Sequence, residues 1–448
     1  MASIASAVER FKRNPSILLD PKWITDACEF AEYRWRDRVF NPVITMHLFM
    51  IQVLSGNCSV RRMLRIAKID ADDQCYNAAR KRIPLDVFGY LAADVTNACK
   101  SACDEASRWL GHRVMMIDGS GLSMPDTAAL RSAFGLPGNV KDGCGFPVMH
   151  TLWMMDMATG LIRDFVTGRW NIHDMKDACR LHGNLEKGDV VIGDRAFGLF
   201  THLVTLQQLG LHGVCRINQK ITVSFKVNRR SSGTLPKAKR KGKPRSEYVR
   251  RLGHLDQVVR YLKPKKRPAS MSAEQFAAMP ETMLVRELRY TVGPRGRSRQ
   301  VTLMTTLLDA EKYPKAELAR LYGLRWRVET NLRHLKQTLG MNVLRCQTVD
   351  GVNKEVWVYV MIFNLICREM VRAASRQKVE PDRISFIDTL DVMRHSPELL
   401  SLVDILVNPW RPGRDEPRVV KRRKDCYRYM TRPREELRQE LGIKRPAA

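Results

Sequence analysis

Membrane-spanning runs, paired cysteines and negative charge are all scarce in this 448-residue chain. No apolar run reaches the roughly 18 residues needed to cross a bilayer, and the first residues, MASIASAVERFKRNPS, lack the apolar stretch of a secretory leader. The sequence therefore reads as a soluble, cytoplasmic protein with no membrane partner. Its 11 cysteines are scattered without a Cys-x-x-Cys pair. Cys99 and Cys103 are the nearest two and have no matching second pair, so reduced, mostly buried thiols are expected rather than zinc. Carboxylates are short as well: 47 Asp and Glu face 76 Lys and Arg, a net charge of +29. A long polyanion is the partner that rewards such a surplus, because neutralising its phosphates releases counterions. A hydrophobic content of 44% excludes a disordered basic tail.

What is present falls into blocks. Residues 1 to about 108 read as short helices separated by Gly, Asn and Asp. Such a series suits either a helix-turn-helix type of DNA reader or a helical cap on the next domain. From residue 111 the period changes to that of strands. RVMMID, the two halves of FPVMHTLWMMDMATGLIRDFVTG, GDVVIGD and the end of LFTHLVTLQQLGLHGVCRIN are strand-like, with helices at HDMKDACRLHGNL and LFTHLVTLQQLG. The order strand, strand, strand, helix, strand, helix, strand predicts an α/β mixed sheet with flanking helices. Residues 218 to about 278 are dense in Lys, Arg, Gly and Pro and read as basic loops between strands or hairpins, too long for a simple connection. Strands resume at TMLVRELRYTV and RQVTLMTTLL, and a basic tail begins near Arg411.

Asp118 closes VMMID and Asp194 closes VVIGD. A carboxylate at a strand exit is expected on the rim of a sheet, since burial between two faces would cost too much. Farther on, LYGLRWRVETNLRHLKQTLGM surrounds one acid, Glu329, with Arg325, Arg327, Arg333 and Lys336. At about 100° per residue, Arg325, Glu329, Arg333 and Lys336 fall within roughly 80° on one side of a helix. Leu321, Leu324, Val328, Leu332, Leu335 and Leu339 form an adjoining apolar stripe. Gly323 can break that helix and leave Tyr322 on a preceding turn. If the stripe packs across the sheet, Glu329 meets the two aspartates. Three hard oxygen donors in one place suit Mg²⁺ or Mn²⁺, which hold phosphates while leaving sites open. Asp126 in MPDT reads as a turn residue, and His173 and Asp174 read as caps of the following helix.

DGSGLSMPDT, GDRAFG and the spacing Tyr322-x2-Arg325-x3-Glu329-x6-Lys336 resemble the signatures of DDE transposases of the insertion-sequence 4 family, as do YNAARKRIP and LGMNVLRCQTVDGVNKEVW. The resemblance spans roughly residues 45 to 375. It implies a ribonuclease-H-like core interrupted by a mostly β insertion, with Asp118, Asp194 and Glu329 as catalytic metal ligands. It also implies Tyr322, Arg325 and Lys336 as contacts to the element end, and less strictly Arg333, Arg195 and Trp326. The expected division is a helical DNA-binding region at 1–108, core at 109–217, basic insertion at 218–310, core with the glutamate helix at 311–375 and a basic region at 376–448. The implied activity is metal-dependent cleavage of element ends and their joining to target DNA, by a homodimer in the synaptic complex and among the nucleoid of a bacterial cell. A silent DNA-binding relative and a nuclease of the same fold are the alternatives.

Overall fold

The computed structural model describes residues 19–36, 38–66, 69–98, 108–137, 144–170, 174–219, 221–227, 246–269, 271–293, 298–395, 400, 402–409 and 432–442. Among the described residues five helices come first: α1 (Pro21–Phe30), α2 (Pro42–Leu54), α3 (Val60–Ile66), α4 (Asp73–Arg82) and α5 (Leu85–Ala98). Side chains of Asp20, Asn41 and Asp72 cap α1, α2 and α4 by accepting from the first free backbone N–H groups.

Next come β1 (Val114–Ser123), α6 (Ala128–Phe134), β2 (Val148–Asp156), β3 (Ile162–Arg169), α7 (Asp174–Leu181), β4 (Val190–Gly193), α8 (Phe200–Gln208) and β5 (His212–Arg216). The strand and helix order expected for this stretch is observed; α6, just after the DGSGLSMPDT segment, is an addition. The first three strands are antiparallel in the order β3, β2, β1, and β4 and β5 join β1 in parallel. All four residues of β4 are buried, as a parallel strand covered on both faces requires.

The chain then leaves the sheet and returns to its open edge. β6 (Glu247–Gly253), β7 (Asp256–Leu262), α9 (Ala273–Ala277), β8 (Thr282–Val292) and β9 (Arg299–Thr305) follow in sequence. β9 pairs antiparallel with β5, and β8, β7 and β6 continue outward to complete nine strands, so the insertion prolongs the same sheet. The β6–β7 hairpin lies within the stretch that reads as basic loops between strands or hairpins. Val258 and Val259 are buried in β7 while Arg250 and Arg251 of β6 face solvent, and outward cations mask a strand in the sequence.

Period-two alternation gives β1, β4 and β5 two different faces. Met116, Ile192 and Val214 join one core; Met115, Ile117, Val191 and Cys215 join the other, beneath α7 and α8. The first core is closed by α10 (Lys315–Gly323), α11 (Trp326–Arg333) and the long α12 (Val349–Gln377), followed by α13 (Phe386–His395) and α14 (Arg434–Glu440). α2 and α5 contribute Phe49, Met50, Phe88 and Leu91 to that same core.

The YNAARKRIP and LRCQ segments interlock. Arg80 donates to Cys346 Sγ at 2.9 Å and lies over the Phe49 ring at 3.8 Å. Glu355 of α12, 1% exposed, accepts from Asn57 Nδ2 at 2.7 Å and from the backbone N–H groups of Arg345 and Cys346. Among the described residues no helix is long and apolar enough to cross a membrane.

Candidate active site

The register of the parallel strands sets the site. Met116 pairs with Ile192, and Ile192 with Val214. Two residues further on, Asp118 continues β1 and Arg216 ends β5 on the face of the first core, and Asp194 follows the last residue of β4, the strand between them. Asp118 is not a strand exit, contrary to the sequence reading. β1 continues to Ser123 because β2 pairs with it throughout, Asp118 lying opposite Trp153. What ends beside Asp118 is β4, and that opens the sheet there.

The Asp194 turn needs both glycines of GDRAFG. A Cβ on Gly193 would lie 2.6 Å from the Phe197 Cβ, and one on Gly198 would lie 2.8 Å from the Arg216 carbonyl oxygen. Asp194 Oδ1 accepts from Ala196 N at 2.7 Å, the buried Phe197 closes the turn, and His202 Nδ1 holds the Phe197 carbonyl at 2.8 Å. His202 stacks against His182, with their Nε2 atoms 3.1 Å apart. Burial pushes both imidazoles down, to about 3 for His182 and about 4 for His202, so they stay neutral behind the turn.

The glutamate helix is not continuous. α10 ends at Gly323, and the next turn is tightened by backbone N–H groups that bond back three residues: Arg325 to Tyr322, Arg327 to Leu324 and Val328 to Arg325. Tyr322 thus ends the preceding helix, as the glycine allows. The apolar stripe is buried as expected at Leu321, Val328, Leu332, Leu335 and Leu339. Beyond Arg333 the chain widens into a π-helical turn, His334–Thr338, which carries Lys336.

Packing the stripe on the sheet brings the separate motifs together. Burial pushes the Asp118 carboxyl up to about 6. Arg325 and the Gly119 N–H draw it back, while the charges of Asp194 and Glu329 push it further. Arg325 donates to Glu329 Oε1 at 2.6 Å; burial opposes its charge, but Glu329, Tyr322 and Asp118 outweigh that and hold its pKa up. Lys336 donates to Ser120 Oγ at 2.9 Å, one same-face position beyond Asp118, and its burial lowers the ammonium pKa. Burial likewise raises the Tyr322 hydroxyl, which lies in the field of Arg325, Arg216 and Asp194.

The remaining candidates are more peripheral. Trp326 is 55% exposed, with Arg325 5.9 Å from its ring centroid. Arg333 is exposed in the last turn of α11. Arg195 sits beside Arg216, whose guanidinium is pulled down by burial and by the Arg195 and Arg299 charges. Asp126 makes a bidentate pair with Arg131, a structural role consistent with a turn residue. Asp174 opens α7, while His173 lies outside the described residues. Sequence reasoning misses Ser120 and Arg216. Ser120 is visible only as the second residue after Asp118, and Arg216 only through the alignment of three strand ends.

Among the described residues no group of three or more His, Cys, Asp or Glu is gathered closely enough to hold a metal ion. Arg325 supplies the positive charge at Glu329. The three carboxylates are the hard oxygen donors that a divalent cation takes, and Asp118 feels the charge of the other two.

One carboxylate within β1, one just past β4 and one on a facing helix, with Arg325 and Lys336 beside them on a strongly basic chain, suit an enzyme of phosphoryl transfer on a polynucleotide. The chain belongs to the transposase DDE domain family, whose model matches residues 109–365. It is 23% identical over 345 residues to the transposase InsG of insertion sequence element IS4 from Escherichia coli strain K12, covering 73% of this chain and 71% of that one. It also resembles a piggyBac transposase in a synaptic complex with hairpin DNA, at a TM-score of 0.43 and 11% identity over 85% of this chain and 78% of the other, a likeness too loose to argue from. The protein is a transposase, an enzyme of DNA cleavage and strand transfer, and the silent DNA-binding alternative is not favoured.

Proposed function

We propose that Asp118, Asp194 and Glu329 form the catalytic centre of this transposase, on the first five strands of a ribonuclease-H-like core. The observation that carries the reading is that Asp194, just past β4, and Glu329, on α11, both act by their charge on Asp118 of β1. The three carboxylates would hold Mg²⁺ or Mn²⁺, which when bound activates a nucleophile and stabilises the departing 3′ oxygen. The chain's own cations position the DNA. Arg325 and Lys336 reach the two edges of the acidic cluster, where guanidinium and ammonium groups grip the phosphates flanking the reacting one. Lys336 is half-buried and bonded to Ser120, so its donor is already aimed before DNA arrives. Tyr322, Arg195 and Arg216 extend the phosphate track along the strand ends.

The partners are the element ends and target DNA, joined by a homodimer in the synaptic complex of a nucleoid-associated, cytoplasmic protein. Residues 109–217 and 311–375 form the core, 218–310 the insertion, 1–108 a helical DNA-contacting layer and 376–448 a basic region. The segment containing Lys237, Lys239, Arg240 and Lys241, and most of the tail from Arg411, lie outside the described residues.

The test is incubation of labelled element ends with a supercoiled target in Mg²⁺, Mn²⁺, Ca²⁺ or chelator. Cleavage and joined products in Mg²⁺ or Mn²⁺, binding alone in Ca²⁺, and neither product in chelator are expected. Cleavage without joining would leave a nuclease, and turnover in chelator would remove the metal role.

A further inference from the structure

Outside the active site, the segment Tyr33-Arg34-Trp35-Arg36 and its neighbours Arg38 and Phe40 cross the gap between α1 and α2. The Tyr33 and Trp35 rings lie at 29° with centroids 6.2 Å apart, a single aromatic platform partly packed on the core. They line a cleft of about 350 Å³ together with Phe40, Ala79 and Ile83. Arg34, Arg36, Arg38 and, from the end of α4, Arg82 line the same cleft. All four are exposed, and none makes an ion pair with a carboxylate among the described residues.

Cations outnumber acids along this stretch, where Asp37 is the one carboxylate between Tyr33 and Phe40, so a positive surplus surrounds a half-covered aromatic pair. A neighbouring hollow shares Tyr33, Arg34 and Trp35 and adds Glu29 and Glu32, so an anion is better placed beside Arg36, Arg38 and Arg82. The volume is at the small end of ligand pockets, roughly 300–1,000 Å³, and suits one nucleotide rather than a duplex. Planar rings with flanking guanidinium groups are what grips single-stranded nucleic acid: bases stack on the rings and phosphates lie on the cations.

The cleft is also tied to the reaction centre by packed structure. Arg82 lies two residues from Arg80, which bonds Cys346. Val343, three residues before Cys346, pairs with Ser123 at the end of the strand that carries Asp118 and Ser120.

We propose that this cleft is a second DNA-binding site, which takes an unpaired nucleotide by stacking its base on Trp35 and holding its phosphates on Arg36, Arg38 and Arg82. It goes beyond the catalytic reading and rests on it only for the choice of DNA over RNA.

The experiment measures fluorescence anisotropy of the full-length protein with a labelled ten-residue thymidine strand, the same strand with abasic sugars, and an RNA strand of uracil. Trp35→Ala is expected to weaken the thymidine strand roughly tenfold to a hundredfold, the range of one base–aromatic stack, and to leave the abasic strand unchanged. Trp35→Phe restores most of the loss. Replacing Arg36, Arg38 and Arg82 together by Gln reduces the slope of log affinity against log salt by about two, at roughly 0.7 for each phosphate that a single strand no longer has neutralised.

The base-against-abasic comparison is made within each variant, so a partly destabilised Trp35→Ala protein still decides the matter. Equal binding of the thymidine strand by wild type and Trp35→Ala, an equal loss on the abasic strand, or tighter binding of RNA overturns the proposal. Cleavage of element ends at saturating protein is the separate readout. A chain that cleaves normally but binds without regard to Trp35 loses the cleft and keeps the catalytic centre. A chain that cleaves nothing yet binds through Trp35 loses the catalytic centre and keeps the cleft.

Discussion

Asp118 and Asp256 lie in strands of one sheet, yet their charges are treated differently. In the inserted half, Asp256 receives Arg286 Nε at 2.8 Å and Nη2 at 2.5 Å, and the third nitrogen of Arg286 donates to the Tyr313 carbonyl at 2.7 Å. Glu287, on the next residue of β8, accepts from Gln257 at 2.7 Å. Arg286 and Glu287 are both fully buried, so every charge there is closed on a fixed partner. In the parallel half, Asp118 has one backbone N–H and two neighbouring acids, and a single guanidinium serves the cluster through Glu329. A closed buried pair holds a fold together at little net gain. An under-compensated cluster stores demand for a cation, which is the condition that the metal site proposed above would use.

The largest effect expected from this contrast is on turnover. Asp118→Asn and Asp194→Asn should each lower single-turnover cleavage by at least about a hundredfold, the scale of losing one preorganised electrostatic group, with the fold intact. Retention of more than about a tenth of wild-type cleavage by either would make that residue dispensable to the chemistry.

The same kind of change in the other half should act on stability. Arg286→Ala leaves a buried, unpaired Asp256 and should cost about 3–5 kcal/mol in denaturant unfolding, while replacing both partners by apolar residues should be nearly neutral. A single substitution no worse than the double one would show that the pair is not closed as described.

Next comes Lys336→Ala, expected to reduce cleavage by roughly a hundredfold through misplacement of the phosphate, with a much smaller loss of DNA affinity. A variant that lost affinity alone would place Lys336 among the general DNA-binding cations.

The smallest effect concerns pH. The Asp118 pKa stands above its ordinary value, at about 6, so the folded state holds that proton more tightly than the unfolded chain. The carboxyl is neutral in both states below its ordinary value, its cost to folding grows between there and about 6, and the full cost is present above. In chelator, Asp118→Asn should therefore match wild type in melting temperature near pH 4 and exceed it at pH 7.5. A wild type more stable than the variant at pH 7.5 would contradict the burial of an uncompensated charge.

Much of the catalytic half is legible in the sequence because its signals are local. VMMID and VVIGD are buried-type runs that end in an acid, and the leucine spacing predicts which side of the Glu329 helix packs. Gly323 signals the break between α10 and α11. The partner of Lys336 and the place of Arg216 are set by strand register and by a π-helical turn, neither of which has a local signature. The inserted half is harder to read for the same reason. Val214 meets Thr305 across a long insertion, and TMLVRELRYTV reads as a strand without showing that Arg286 and Glu287 are buried against Asp256 and Gln257 from a neighbouring strand.

The most direct measurement takes one preparation of Glu329→Gln and determines both its affinity for labelled element ends and its single-turnover cleavage of them at saturating protein. Affinity within about threefold of wild type, with cleavage down by a hundredfold or more, is the expected result for a catalytic carboxylate in a positioned site. Cleavage near the wild-type rate, or affinity and cleavage lost in equal proportion, would contradict it.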